Sequence, residues 1–208
     1  MHNDQHKASL EFERLAFFSD AVFAIAITLL VLDLRLPISH DHRPHFEGMT
    51  PRFIGFAVSF IVIGIYWNVH HRLFGTLRRD DGLLRAGNLV FLASIVFLPF
   101  PTSVIAEYPT AKVAVMLYAF SVSAVGMLLF ALTLLARRPN LTRPGETRGG
   151  TIHFAIRAIA APAVFLISAA LATAKPLWAL MLWVLVWPAV WGCGHLGKRM
   201  QLRIDRIA

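Results

Sequence analysis

Charge is scarce in this sequence: Asp, Glu, Lys and Arg together make up 15% of its 208 residues, against about 25% in an ordinary soluble domain. A chain so poor in charge and 57% hydrophobic, with a mean hydropathy of +0.61, does not read as a soluble globule. Cysteine is nearly absent too. The single Cys193, inside an apolar run, rules out an intrachain disulfide and reads as a small packing residue. No P-loop, HExxH, GxSxG elbow or paired-carboxylate arrangement occurs, so the expectation is a protein that is not an enzyme and needs no metal or cofactor. A cleavable signal peptide is not expected either, because the polar stretch MHNDQHKASLEFE leads into an apolar run too long for one, and the first helix is expected to stay as an anchor. The net charge of +8 and the pI near 10.6 would suit a nucleic-acid binder. The basic residues, however, fall in short clusters between apolar runs and no recognition module accompanies them, so nucleic acid is not expected as a partner and a lipid bilayer is.

What the chain has in abundance is long hydrophobic runs. Spans at about 14–36, 53–73, 83–106, 111–136, 152–173 and 177–196 each approach the roughly 20 residues that cross a bilayer as a helix. The fold class expected is an all-α polytopic membrane protein, with residues 1–208 forming a single six-helix subunit without internal duplication. Pro99 and Pro101 remove two backbone donors and should distort or end the third helix there. Arg72, Arg78, Arg79 and Arg85 lie between runs two and three; Arg137, Arg138, Arg143 and Arg148 between four and five; Lys198, Arg199, Arg203 and Arg206 in the tail. The alternate connections hold only Arg43, Arg52, Lys112 and Lys175, which places both termini in the cytoplasm of a multi-pass cell-membrane protein. His40, His42 and His45 in the first loop fit no standard metal spacing and read as an exposed connection. Trp178, Trp183, Trp187 and Trp191 form a stripe along the last span that reads as packing or lipid contact.

The first run, RLAFFSDAVFAIAITLLVLDLRL, organises the rest. Asp20 near its entrance costs at least about 2.5 kcal/mol in hydrocarbon, so a partner or a wet cavity is expected for it. On a helical wheel Ile25, Leu29, Leu32 and Leu36 form one narrow stripe, with Thr28 about 60° to its side and Asp20 about 140° from Ile25. In the second run Trp67, His70 and His71 stand at i, i+3 and i+4, on one face. If the first two helices are antiparallel neighbours, these donors meet Arg14, Ser19 and Asp20 at one level and pin the helices together. Asp33 either concentrates cations at the outer mouth or is a helix-end charge offset by Arg35.

RLAFFSD supplies Arg14, three residues, then Phe18, Ser19 and Asp20, which resembles the Arg-x-x-x-Phe-Ser-Asp signature of the transmembrane protein 175 potassium channel family, prokaryotic single-repeat type. AVFAIAITLLVLDL, WNVHH at Trp67 to His71, Asn88 and LPFPTS at Leu98 to Ser103 are similar to prokaryotic members; the likeness covers all six spans, with its specific motifs in the first three. The resemblance implies a potassium-permeable channel without a carbonyl filter, assembled as a homotetramer with the first helices lining a central pore. Carried over, it implies a constriction at Ile25, Leu29 and Leu32 and a selectivity-associated role for Thr28. Arg14, Phe18, Ser19, Asp20, Trp67, His70, His71 and Asn88 would brace the pore helix from behind. K+ is then the permeant ion rather than a cofactor. The competing reading is a proton-coupled secondary transporter in which Asp20 and His70 or His71 titrate as a relay; a noncatalytic scaffold would leave the polar cluster without a purpose.

Overall fold

A computed structural model of the chain describes residues 2–34, 49–138, 141–142, 159, 162–172 and 182. Helix α1 spans His2–Leu29, α2 Thr50–Gly75, α3 Gly82–Phe97, α4 Pro99–Glu107 and α5 Lys112–Ala136, and a shorter apolar helix, α6, runs over Pro162–Ala172. The described residues thus give an all-helical chain in which Leu10–Leu32, Thr50–Gly75, Gly82–Glu107 and Lys112–Ala136 are long and apolar enough to cross a membrane. Apart from Leu182, the sixth expected span lies outside the described residues, as do Cys193, the tryptophan stripe and the histidines of the first loop.

Helix α1 begins well before the apolar boundary expected at Arg14, because hydropathy marks where a membrane starts and not where a helix does. With neither Gly nor Pro between His2 and Leu29, nothing interrupts the backbone ladder. At its other end the chain tightens into a 3-10 turn over Leu30–Asp33, closed by Leu34 N–H donating to the Val31 carbonyl at 3.0 Å.

Pro99 and Pro101 break the third apolar run as expected, into α3 and α4. Pro99 has no N–H for the Ile95 carbonyl, and Leu98 N–H, one residue earlier, donates to it instead at 3.1 Å. Asp81 caps α3, its extended backbone letting Oδ1 accept from Leu84 N–H at 2.7 Å.

Helix α1 packs on α2 and α3, while α5 packs on α2, α3 and α4. Phe23, Ile63, Leu73, Leu84, Phe91, Val115, Val122 and Leu129 are fully enclosed where these helices meet. Buried hydroxyls link the second half: Ser59 Oγ stands 2.8 Å from Thr102 Oγ1 and 2.9 Å from Tyr118 Oη, and Thr102 donates onward to the Leu98 carbonyl at 2.8 Å. With no water in hydrocarbon to satisfy them, such hydroxyls must bond one another or the backbone. Gly126 lets α6 approach α5: a Cβ there would stand 1.9 Å from Pro162 Cγ and 3.0 Å from the Tyr66 hydroxyl oxygen.

Candidate functional site

Helix α1 has two different sides. Ser19, Phe23, Ala26 and Leu30 recur at helical spacing and are buried against α2 and α3. Across the helix, Phe17, Phe18, Ala21, Ala24, Ile25, Thr28, Val31 and Leu32 are exposed, and Leu29 is half-buried beside them. Ile25 is 56% and Leu32 58% exposed, on the membrane-length segment that the chain covers least. An apolar face left this open has its contacts outside the single chain.

The 3-10 turn corrects the wheel. In a continued α-helix Leu32 falls about 60° from Leu29, whereas at about 120° per residue Leu32 returns to the direction of Leu29. The stripe therefore closes up at its end, and Leu36 lies outside the described residues. Thr28 Oγ1 donates to the Ile25 carbonyl at 2.8 Å. Its hydrogen is thus used within the helix, and Thr28 itself is exposed.

The buried side is held by a polar chain through three helices. Asn88 of α3 donates from Nδ2 to Ser19 Oγ of α1 at 2.9 Å, and its Oδ1 lies 2.8 Å from His70 Nε2 of α2. Ser19 passes its own hydrogen to the Leu15 carbonyl at 2.9 Å. Since Oδ1 of Asn88 can only accept, the network assigns the imidazole hydrogen to Nε2. His70 Nδ1 is then a bare lone pair, buried without a hydrogen-bond partner among the described residues. Aromatic rings fill its surroundings, with Phe74 stacked at 4.1 Å, Phe91 stacked at 5.4 Å and Phe23 tilted at 5.5 Å between centroids.

Trp67 and His71 face elsewhere. Trp67 Nε1 donates to Asp20 Oδ1 at 2.9 Å, and His71 Nδ1 approaches the same oxygen to 4.0 Å, its ring 5.3 Å from the indole. The expected single face of Trp67, His70 and His71 is therefore divided. His70 and His71 differ by about 100° around α2, so the first turns inward to α3 while the second stays exposed beside Asp20. Arg14 and Phe18 stand apart from both clusters. Both are exposed, on the side of α1 that carries Ile25, because Phe18 lies about 100° from buried Ser19. No hydrogen bond or ion pair joins Arg14 to another described residue.

Phe23, Phe74 and Phe91, which enclose the imidazole, were not legible as site residues, since in sequence they read as ordinary apolar positions. At the end of the bundle where α2 and α5 finish, Arg138 bonds Asp81 Oδ2, and Arg78 N–H donates to the Leu141 carbonyl at 2.9 Å. The N–H of Leu84 and then the guanidinium of Arg138 hold the Asp81 carboxyl below the usual aspartate range.

Residues 14–99, which carry α1, the Asn88 chain and the Asp20 pair, match the family model described as endosomal/lysosomal potassium channel TMEM175. Over 136 residues the chain is 38% identical to a potassium channel of Streptomyces collinus, covering 64% of this chain and 66% of that one. Over 158 residues it is 30% identical to the endosomal/lysosomal proton channel TMEM175 of Homo sapiens, covering 68% of this chain and 31% of the human one. The chain thus spans less than two thirds of either relative. The fold is similar to the crystal structure of a lysosomal potassium-selective channel TMEM175 homolog from Chamaesiphon minutus, with a TM-score of 0.68 and 30% identity over 93% of this chain and 97% of that one.

Proposed function

Because the chain belongs to the TMEM175 family, we propose that it is a potassium-permeable cation channel, conducting passively through a central pore lined by α1. The observation that carries this reading is the exposed stripe of Ile25, Thr28 and Leu32 on the least covered membrane-length segment. Further copies of the chain around one axis, a homotetramer in this reading, would cover that face and bring the side chains together as rings.

Rings of Ile25, Leu29 and Leu32 form the constriction. Narrow apolar rings exclude water and block ions, and slight widening lets hydrated K+ pass. Thr28 contributes an oxygen lone pair near these rings, with its hydrogen tied to the Ile25 carbonyl. The exposed side from Ala21 to Leu32 carries no charged residue, so discrimination of K+ over Na+ is modest. Each α1 is held from behind by Ser19, Asn88 and His70 and, at the flank, by Asp20, Trp67 and His71. Arg14 and Phe18, on the open side, act between copies. The subunit is completed as six spans with both termini in the cytoplasm of the cell membrane, in accord with the distribution of Lys and Arg.

The relay required by a proton-coupled transporter finds less support. Asp20 bonds Trp67 and His70 bonds Asn88, with no hydrogen bond between the two sets among the described residues, and His71 reaches Asp20 only to 4.0 Å. The deciding experiment is purified protein in a planar bilayer with K+ and Na+ on opposite sides. Unitary currents are expected whose reversal potential is displaced toward the K+ potential by the modest amount that a weak preference for K+ over Na+ sets. Coupled movement of protons and a solute, without such currents, overturns the channel.

A further inference from the structure

Apart from the helix bundle's membrane-length surfaces, the chain has a charged cleft of about 420 Å³ at the end where α2 and α5 finish and α3 begins. Glu11 from α1, Arg79, Asp80 and Asp81 from the α2–α3 turn, Arg85 from α3 and Arg138 from beyond α5 line it. The signs are balanced in number, but the hydrogen-bonding capacity is not.

Asp80 is a backstop, its side chain only 4% exposed and its Oδ2 accepting from Arg85 Nε at 2.8 Å. Asp81 is likewise engaged, with Oδ1 taken by Leu84 N–H and Oδ2 by Arg138 Nη1. A guanidinium carries five N–H donors in a planar fork. Arg85 gives only Nε, and Arg138 only Nη1, to these carboxylates among the described residues. The two forks are thereby fixed from behind, with most of their donors still to be used at the wall of an open cleft. Surplus, oriented guanidinium donors match an oxyanion with several acceptor oxygens, and phosphate presents more of them than a carboxylate does. A cationic ligand fits poorly, since the carboxylates of Asp80 and Asp81 are already occupied.

We propose that this cleft binds a phosphate-bearing anion through Arg85 and Arg138, and that Glu11, on the wall of the same cleft, opposes the anion as a like charge. Glu11 lies within electrostatic range of the Arg85 guanidinium and makes no ion pair of its own among the described residues. A phosphate seated against that guanidinium meets the Glu11 carboxylate as a like charge. The phosphate comes either from a soluble molecule or from a lipid headgroup, since the cleft opens where the spans leave the bilayer.

The full chain in phosphatidylcholine nanodiscs is titrated with inorganic phosphate, with binding read by phosphorus NMR and calorimetry. A parallel set of nanodiscs contains phosphatidylinositol 4-phosphate, with binding read by its headgroup phosphorus resonance. Saturable binding is expected for at least one probe, weakened about tenfold or more in Arg85→Gln and Arg138→Gln, the loss of one charge-assisted contact. Glu11→Gln, which leaves both ion pairs intact, should tighten it several-fold. Free phosphate binding alone identifies a soluble source and lipid binding alone a headgroup, either of which supports the site. Absence of saturable binding with both probes overturns the proposal, as does unchanged affinity in Arg85→Gln and Glu11→Gln. Neither readout depends on ion conduction, so failure of the channel reading leaves this test intact.

Discussion

Asn88 donates its amide hydrogen to Ser19 across 2.9 Å, joining α3 to α1 between residues 69 positions apart in sequence. Both side chains are completely buried, and Asn88 also holds the His70 imidazole, so one residue fixes the relation of three helices. Removing it leaves Ser19 and His70 each short of a partner. Asn88→Ala should therefore destabilise the chain by about 1–3 kcal/mol, most of it the cost of the groups left behind. Thermal unfolding in detergent, followed by tryptophan fluorescence, checks this; a melting curve superimposable on wild type would mean that water replaces the amide.

The stripe on α1 makes an opposite kind of prediction, because there a polar residue should increase function. Ile25→Asn and Leu29→Asn wet the constriction and should raise conductance or weaken ion selection while the assembled protein keeps its size on a sizing column. Thr28→Val retains the branched shape and removes the oxygen, so it should lower K+ over Na+ discrimination without closing the pore. Reversal potentials under K+ and Na+ gradients measure both effects. If all three variants conduct as wild type does, the stripe faces lipid or protein and not ions.

Gly126 should tolerate no side chain while α6 stays where it is. The added methyl of Gly126→Ala would meet Pro162 at 1.9 Å, and only displacement of one helix relieves that overlap. A loss of about 1–3 kcal/mol is expected. Cysteines introduced at the α5–α6 contact should crosslink less efficiently in the variant; equal efficiency would place α6 elsewhere.

Stability in acid should depend on Asp81. Its carboxyl titrates below the usual range when folded, chiefly because Leu84 N–H and then Arg138 bond the charged form. The stabilisation is complete above the ordinary aspartate range and is lost as pH falls through the lowered folded value. Asp81→Asn keeps an oxygen to cap α3 but forfeits the charge, so its stability should vary less than that of wild type over that acid limb. Parallel melting temperatures of the two proteins across the acid range would remove Asp81 from the account.

Much of this organisation is readable from the residues themselves. Apolar runs locate the first four membrane-length segments, Pro99 and Pro101 mark the break between α3 and α4, and the burial cost of Asp20 calls for a donor of the kind that Trp67 provides. What a wheel cannot give is which neighbour each arc meets. His70 and His71 are adjacent in sequence, yet α3 takes one and the rim beside Asp20 receives the other. Phe18 and Ser19 part company for the same reason. The 3-10 turn at Leu30–Asp33 is similarly silent, since LVLD suits an α-helix as well and the tightening belongs to the end of the helix.

Helix α1, uninterrupted from His2 to Leu29, makes the two ends of the molecule mechanically one. Glu11 at the charged cleft and Ile25 on the open stripe are 14 residues apart on that single rod, about 21 Å with no glycine or proline to absorb a bend. The rod is seated along one edge, at Phe12, Ser19, Phe23, Ala26 and Leu30, so the cleft and the stripe are held in one fixed register. Neither end of α1 can turn about the helix axis without carrying the other with it.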